Sequence, residues 1–486
     1  MARLNSSMVE VKQHPIKVMQ FGEGNFLRAF VDYFIDRANE AGVFDGSVAI
    51  VKPISFGDLE RFRAQDNIYT VILRGMKDGV PYVERKVVTS VAESIDPFLE
   101  YEKYCDVIKL PELRFVISNT TEAGIEFRDD DKFAAEPPLT YPGKLTKLLF
   151  LRYLEFTGAE DKGLNILACE LIDRNGETLH DCVMKFIELW RLPDEFKEWV
   201  ENCCVFCNTL VDRIVTGYPK NEASELCVEL GYEDQLLDTA EPFGLWVIAS
   251  PKDISAEFPL DKAGLDIVFT RDITPYRDRK VRILNGAHTS MVLGAYLAGL
   301  DTVGECMADD TMSAYMHACV FDEIIPTLNL PYDELVGFAE SVAGRFSNPF
   351  IRHELLSISL NSTSKWKARV LPSITEFVKR NGKLPKHLTF SFAAYIAFYK
   401  AYKSDDGSFY GLRNGEKYRI ADVAEVLDFF AEIANDDAAV RVDKVASRAD
   451  WWGQDLRELP GFVEAVTKAL IAIEFDPRSA FEGVTK

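Results

Sequence analysis

The sequence predicts an α/β chain in two parts: residues 1–269 alternate strands and helices, and residues 270–486 are mostly α-helical. Three observations carry this. A short apolar strand runs into a glycine turn, a helix and a second buried strand within residues 17–51. The alternation of short apolar runs with helical periodicity then continues through the first half. From about Thr270 the strand signals nearly vanish and long amphipathic segments replace them. At 486 residues the chain is too long for one ordinary core, so two domains are expected, with the boundary near residues 269–277.

Lys17-Val-Met-Gln-Phe21 is the first strand. The helix after the glycines spans residues 26–41, with apolar positions at Phe26, Phe30, Phe34, Ile35 and Ala38, and Gly42 closes it. Val48-Ala-Ile-Val51 is the next buried strand. Residues 68–74 and 82–88 read as an antiparallel hairpin around Asp78-Gly79. Phe115-Val-Ile-Ser118 and Asn165-Ile-Leu-Ala-Cys169 read as parallel core strands. The acidic, proline-bearing stretch 129–142 is a loop, and a helical run covers 144–156. In the second half, helices are expected within 291–300, 313–328, 332–342 and 460–473.

Composition narrows the function. The formal net charge is −22, from 77 acidic and 55 basic residues, which repels phosphate backbones and anionic membrane surfaces and argues against nucleic-acid work. No apolar run reaches the roughly 18 residues that a membrane span needs. The first twenty residues contain no continuous apolar block ahead of a small-residue cleavage site, so the cytoplasm is expected. Nine cysteines in a long chain do not make a disulfide framework, and a reducing compartment fits.

The chemistry concentrates in two stretches. In Arg279-Lys-Val-Arg-Ile-Leu-Asn-Gly-Ala-His288, an α-helix puts Lys280, Asn285 and His288 at roughly 0°, 140° and 80°, within one arc. Lysine serves as a base when burial or neighbouring positive charge lowers its pKa, and Arg279 and Arg282 flank it. The plainer alternative is a solvated basic patch. Asn285 and His288 weigh against it, because they sit where the helix turns apolar and buried polar groups demand partners. The second stretch is Phe21-Gly-Glu-Gly-Asn-Phe-Leu-Arg28. Gly22 and Gly24 permit a tight turn that lets backbone N–H groups approach a pyrophosphate at a helix N-terminus, with Phe21, Asn25 and Phe26 around it. Leu27 stands where a third glycine is expected, so a plain strand-to-helix turn is the competing reading. Lys52 and Pro53 follow the second strand where an aspartate would favour NAD. Together the two stretches suggest hydride transfer to or from a polyhydroxylated substrate.

Three further groups have plainer readings. Val211-Asp212-Arg213-Ile214 is read as a structural ion pair, or else as a group that orients substrate. Cys203, Cys204 and Cys207 lack a recognisable fourth ligand, so no metal is expected. Arg352, Lys365, Lys367 and Arg369 supply local positive charge: a helical face carrying several of them would bind a carboxylate, against the alternative of a solvated face.

Taken together, Gly22-Glu-Gly-Asn-Phe-Leu-Arg-Ala29, Thr121-Glu-Ala-Gly124, Val211-Asp-Arg-Ile214, the Lys280 to His288 stretch and Arg345-Phe-Ser-Asn348 with Lys365 resemble the long-chain, metal-independent mannitol dehydrogenase family. The resemblance runs through nearly the whole chain. It implies a Rossmann-like NAD-binding domain over residues 1–269 and a helical substrate and catalytic domain over 270–486. It further implies catalytic roles for Lys280, Asn285 and His288, a position for Thr121 and Glu122 beside the nicotinamide, and substrate-side positions for Asp212 and Lys365. Mannitol-type members carry an asparagine where this chain has Leu171, and an arginine where it has Ser357. A sugar acid, with Arg352 or Lys365 near its carboxylate, is therefore favoured over a simple hexitol. A non-catalytic dinucleotide sensor on the same fold is the rival from a different class.

Overall fold

The computed structural model describes residues 1–77, 80–121 and 123–486. The chain divides into two compact units, Met1–Ile273 and Thr274–Lys486.

The first unit is built on twelve strands: β1 (Ile16–Phe21), β2 (Ser47–Val51), β3 (Tyr69–Lys77), β4 (Val80–Val88), β5 (Val91–Ile95), β6 (Phe115–Ser118), β7 (Asn165–Ala168), β8 (Val205–Asp212), β9 (Val215–Gly217), β10 (Asp238–Ala240), β11 (Leu245–Ala249) and β12 (Asp266–Thr270). Eight of them form one sheet in the order β12-β11-β8-β7-β6-β1-β2-β5, parallel except where β8 meets β11. Read from β5 inward, the chain winds outward from β1 through β2 to β5, then returns to the other side of β1 and continues through β6, β7 and β8. That reversal between β1 and β6 is the topological switch point of a doubly wound fold, where ligands bind beyond the carboxyl ends of the strands. Strands buried on both faces, such as Val48-Ala-Ile-Val51, read as unbroken apolar runs because helices cover both sides of the sheet. β3 and β4 pair antiparallel as expected, in a second sheet with β9 and β10. Asp78 and Gly79, assigned to the turn between them, lie outside the described residues.

Thr140 caps the helix Tyr141–Glu155 through its side chain, so the expected loop ends two residues earlier than proline content suggested; Pro142 sits in the first turn, where its missing N–H costs nothing.

The second unit is largely helical. The helices Gly286–Leu297 and Lys386–Phe398 are buried over nearly all their lengths and packed against each other. One expectation fails: strands do recur, as the antiparallel sheet β13 (Tyr402–Lys403), β14 (Phe409–Arg413) and β15 (Glu416–Ile420). The expected helix over 313–328 is also broken, into α-helical Asp310–His317, π-helical Ala318–Ile324 and a 3-10 turn at Ile325–Thr327. Among the described residues no helix is long and apolar enough to cross a membrane.

Candidate functional site

The glycine turn of the first unit sits at the carboxyl end of β1, at the switch point. Phe21 is fully buried against Tyr141, with ring centroids 4.8 Å apart. Gly22 adopts φ +131°, and a Cβ there would lie 3.0 Å from Leu27 Cδ1 and 3.2 Å from the Asn119 carbonyl oxygen, so only glycine fits without strain. Leu27 is therefore part of the turn's packing rather than a defect in it. Gly24 is exposed, with nothing within 4 Å of where its Cβ would be. A helical run over residues 25–40 begins immediately after it, with a π segment at Arg28–Asp32. Its first-turn N–H groups point out of the sheet end. Asn25 is exposed and accepts a hydrogen bond from Arg28, and Phe26 stacks on Phe30 at 5.0 Å. A close-packed glycine, an open glycine and a helix N-terminus fit a dinucleotide pyrophosphate.

A buried polar network braces this turn from beneath, and the sequence reading missed it. Gln20 donates to the Gly22 carbonyl at 3.1 Å and to Asp32 at 3.3 Å, and Tyr69 donates to Asp32 at 2.8 Å. Burial raises the Asp32 carboxyl to about 7, against the lowering effect of those donors. Arg28 donates to the Leu236 carbonyl and lies 3.6 Å from Asp238, whose carboxyl burial likewise raises to about 7. The available signal was two polar residues, Gln20 and Asp32, at otherwise apolar positions of a strand and a helix. At the end of β2, Lys52 is 2 % exposed; its ammonium pairs with Asp96 and donates to the Gly57 carbonyl at 2.8 Å.

Thr121 follows β6 in an exposed loop with φ +81°; Glu122 lies outside the described residues. Just before this loop, the Thr120 N–H and hydroxyl donate to buried Glu170, both at 2.9 Å, and Ser118 donates to it at 3.1 Å. Asp212 ends β8 and is buried. Arg213 follows β8 directly and is buried. It donates to the carbonyls of Ala29, Pro242 and Phe243, and its guanidinium lies over the rings of Tyr33 and Phe34 at 5.1 Å. All nine cysteines are free thiols, and among the described residues no group of three His, Cys, Asp or Glu side chains is arranged to hold a metal ion.

In the second unit Lys280–Asn285 is a π-helix, followed directly by the α-helix Gly286–Leu297. The angular spacing expected of a continuous α-helix is thereby corrected. In i to i+5 geometry Asn285 comes round onto the Lys280 side instead of roughly 140° away, and His288 follows one α-turn beyond. Lys280 and Asn285 are half-buried, and His288 is 7 % exposed. The His288 ring stacks on Phe346 and meets His353 edge-on at 5.1 Å. Its Nε2 is buried and has no hydrogen-bond partner among the described residues. Burial, followed by the positive fields of His353, Arg345, Arg369 and Lys365, holds its pKa well below the ordinary imidazole value, so the ring is neutral.

The basic residues do not share one helical face. Arg352 lies before the helix Leu355–Ile358, its side chain 80 % exposed and bound to Glu354 at 2.6 Å, and Lys367 is exposed. Only Lys365 and Arg369, one turn apart on the helix Ser362–Arg369, face the π-helix and the helix after it. Lys365 donates to the Ile358 carbonyl at 2.8 Å. His353 had no sequence signal, because only the packing of a distant loop brings it to His288.

Comparison with known proteins is consistent along the chain. Residues 16–262 match the mannitol dehydrogenase Rossmann domain, and residues 272–474 match the mannitol dehydrogenase C-terminal domain. Altronate oxidoreductases of Escherichia coli O7:K1 and Shigella flexneri are each 45 % identical over 480 residues, covering 97 % of both chains. Among solved structures, D-sorbitol dehydrogenase in substrate-free form superposes with a TM-score of 0.83 at 20 % identity, covering 99 % of each chain. Pseudomonas fluorescens mannitol 2-dehydrogenase, in a ternary complex with NAD and D-mannitol, superposes with a TM-score of 0.68 at 23 % identity, again covering 99 % of each chain. These two likenesses speak to the fold alone. Both the doubly wound unit and the helical unit therefore match family domains, and the chain belongs to the mannitol dehydrogenase family.

Proposed function

We propose that this chain is a cytoplasmic NAD-dependent tagaturonate reductase, interconverting the ketone of tagaturonate and the secondary alcohol of altronate. The observation that carries the reading is the 45 % identity with altronate oxidoreductases over 97 % of both chains. The site geometry supports the same chemistry. The first unit serves as the dinucleotide-binding domain, with Phe21, Gly22, Gly24, Asn25, Phe26, Thr121 and Glu122 toward the cofactor. The second serves as the substrate and catalytic domain.

When bound, NADH supplies the hydride that adds to the carbonyl carbon. The proton comes from this chain: the Lys280 ammonium gives it to the carbonyl oxygen during reduction, and the Lys280 amine takes it from the hydroxyl during oxidation. Asn285, registered with Lys280 by the π-turn, donates a hydrogen bond to the oxygen as negative charge grows there. His288, neutral and with Nε2 unpartnered, fixes the neighbouring hydroxyl. Asp212 and Lys365 hold further substrate groups. Proton transfer and charge stabilisation are both covered by side chains, so the reading needs no metal.

The test is the fall of NADH absorbance with tagaturonate, fructuronate and fructose offered side by side. Fastest turnover of tagaturonate is expected. Preference for fructuronate would make the product mannonate, preference for fructose would indicate a hexitol enzyme, and no decay with any of them would favour a dinucleotide sensor.

A further inference from the structure

Arg369 occupies an unusual position in a chain this acidic. It is half-buried, and burial alone depresses its pKa, with no carboxylate opposing the shift. Among the described residues its guanidinium has one hydrogen bond, a long one of 3.5 Å to the Thr289 hydroxyl. That hydroxyl in turn donates to the Asn285 carbonyl at 2.9 Å, so Arg369 stands one side chain away from the Lys280, Asn285 and His288 stretch. Lys365 lies one helical turn before Arg369 and shares its face. Among the described residues Lys365 forms no ion pair either: the acid that acts on it, Asp422, is bound to the Thr363 N–H and hydroxyl and to the Tyr399 hydroxyl. His353 closes the third side, its ring 5.1 Å from that of His288.

Half-buried cations are normally matched by acids, since desolvating a charge is costly. Seventy-seven acidic residues were available to this chain. Elsewhere in the same unit Arg279 binds Glu334, Arg413 binds Asp301 and Arg441 binds Glu474, and half-buried Arg282 is held by two short hydrogen bonds, to the Ser373 hydroxyl at 2.6 Å and the Thr327 hydroxyl at 2.9 Å, which Arg369 lacks among the described residues. The uncompensated pair therefore marks a place where negative charge arrives with a ligand. A guanidinium offers a forked pair of donors that matches a carboxylate, with the ammonium as a point charge beside it.

We propose that Arg369, assisted by Lys365, binds the substrate's carboxylate and is the residue that makes this enzyme select a sugar acid over the corresponding neutral polyol. The exposed Arg352, already bound to Glu354, has no such part. This assignment rests on the sugar-acid reading above and names the side chain that enforces it.

The test is titration calorimetry of the full-length, NADH-loaded protein, which cannot oxidise the alcohols, with altronate and with the corresponding neutral alditol, on wild type, Arg369→Leu and Arg369→Lys. NADH binding and thermal unfolding of each variant are measured in parallel. Wild type is expected to prefer altronate. Arg369→Leu should reduce that preference by about 30- to 5000-fold, the range for truncating one partner of a desolvated charge pair, and NADH binding should be retained. Arg369→Lys, which keeps the charge and loses the fork, should fall between the two and serves as the test if the leucine variant does not fold. A preference surviving in folded Arg369 variants, or affinity for both ligands falling in parallel, overturns the assignment and leaves the sugar-acid reading standing. A wild-type protein that prefers the alditol, or a hexitol phosphate, over altronate overturns both.

Discussion

The His288 ring lies flat on the ring of Phe346, with centroids 4.1 Å apart and planes 11° from parallel. Stacking on Phe346 fixes the plane of the neutral imidazole. If His288 holds a substrate hydroxyl as proposed, Phe346 is a positioning residue that acts through it.

Phe346→Leu preserves most of the apolar volume and is expected to lower kcat/KM by about 10-fold or more, because small misplacements of a substrate-holding group are expensive. Phe346→Ala additionally opens a cavity and should cost about 3–5 kcal/mol in unfolding free energy. Steady-state kinetics and chemical denaturation separate the two effects. Unchanged kinetics in the leucine variant would remove Phe346 from the site.

The same burial makes the helical unit sensitive to acid. Folded His288 has a pKa below the value it has when unfolded, so between the two the unfolded chain binds the extra proton. Stability is therefore full above the ordinary imidazole value of about 6.5 and is lost as pH falls below it. His353, lowered by burial, adds in the same direction. His288→Gln should be less acid-labile than wild type when denaturation at pH 5 is compared with pH 7.5.

Asp32 and Asp238 work in the opposite sense. Their folded carboxyls are raised to about 7, so between the unfolded carboxylate value and 7 the folded protein holds more protons, and stability falls as pH rises through that window. Asp32→Asn mimics the protonated form and can still accept from Tyr69 and Gln20. It should be more stable than wild type at pH 8, by about 1–4 kcal/mol, with the advantage shrinking as pH falls toward 4. Equal stability at both values would show that Asp32 is ionised in the fold.

Gly22→Ala forces a Cβ into a φ of +131° and against the Asn119 carbonyl. Such strain costs about 1–3 kcal/mol. NADH affinity, read by fluorescence titration, should fall by about 10-fold or more, in line with that energy. Wild-type affinity would separate the turn from the cofactor.

The parts of this molecule that were legible from sequence are those set by local periodicity. The apolar runs at Val48-Ala-Ile-Val51 and Phe115-Val-Ile-Ser118 announced buried parallel strands, and the β3–β4 pairing followed from two flanking runs. The β13–β15 sheet was missed although Asn414-Gly415, both at positive φ, is a strong hairpin signal; its strands are short and half exposed, so they lack an apolar stripe. The π-turn at Lys280–Asn285 was invisible because one extra residue per turn barely disturbs a hydrophobic pattern. Lys280, Asn285 and His288 were found by residue type and spacing. The bracing of Gly22 by Gln20, and the approach of His353 and Arg369 to the His288 helix, depend on packing between segments far apart in the chain, which no local pattern encodes.

Lys280→Ala tests the central claim most directly, by single-turnover reduction of tagaturonate with NADH affinity measured on the same preparation. Turnover lower by about two to four orders of magnitude, with NADH binding within a few-fold of wild type, is the predicted result. Turnover within a few-fold of wild type would contradict the assignment of Lys280 as the group that gives and takes the proton.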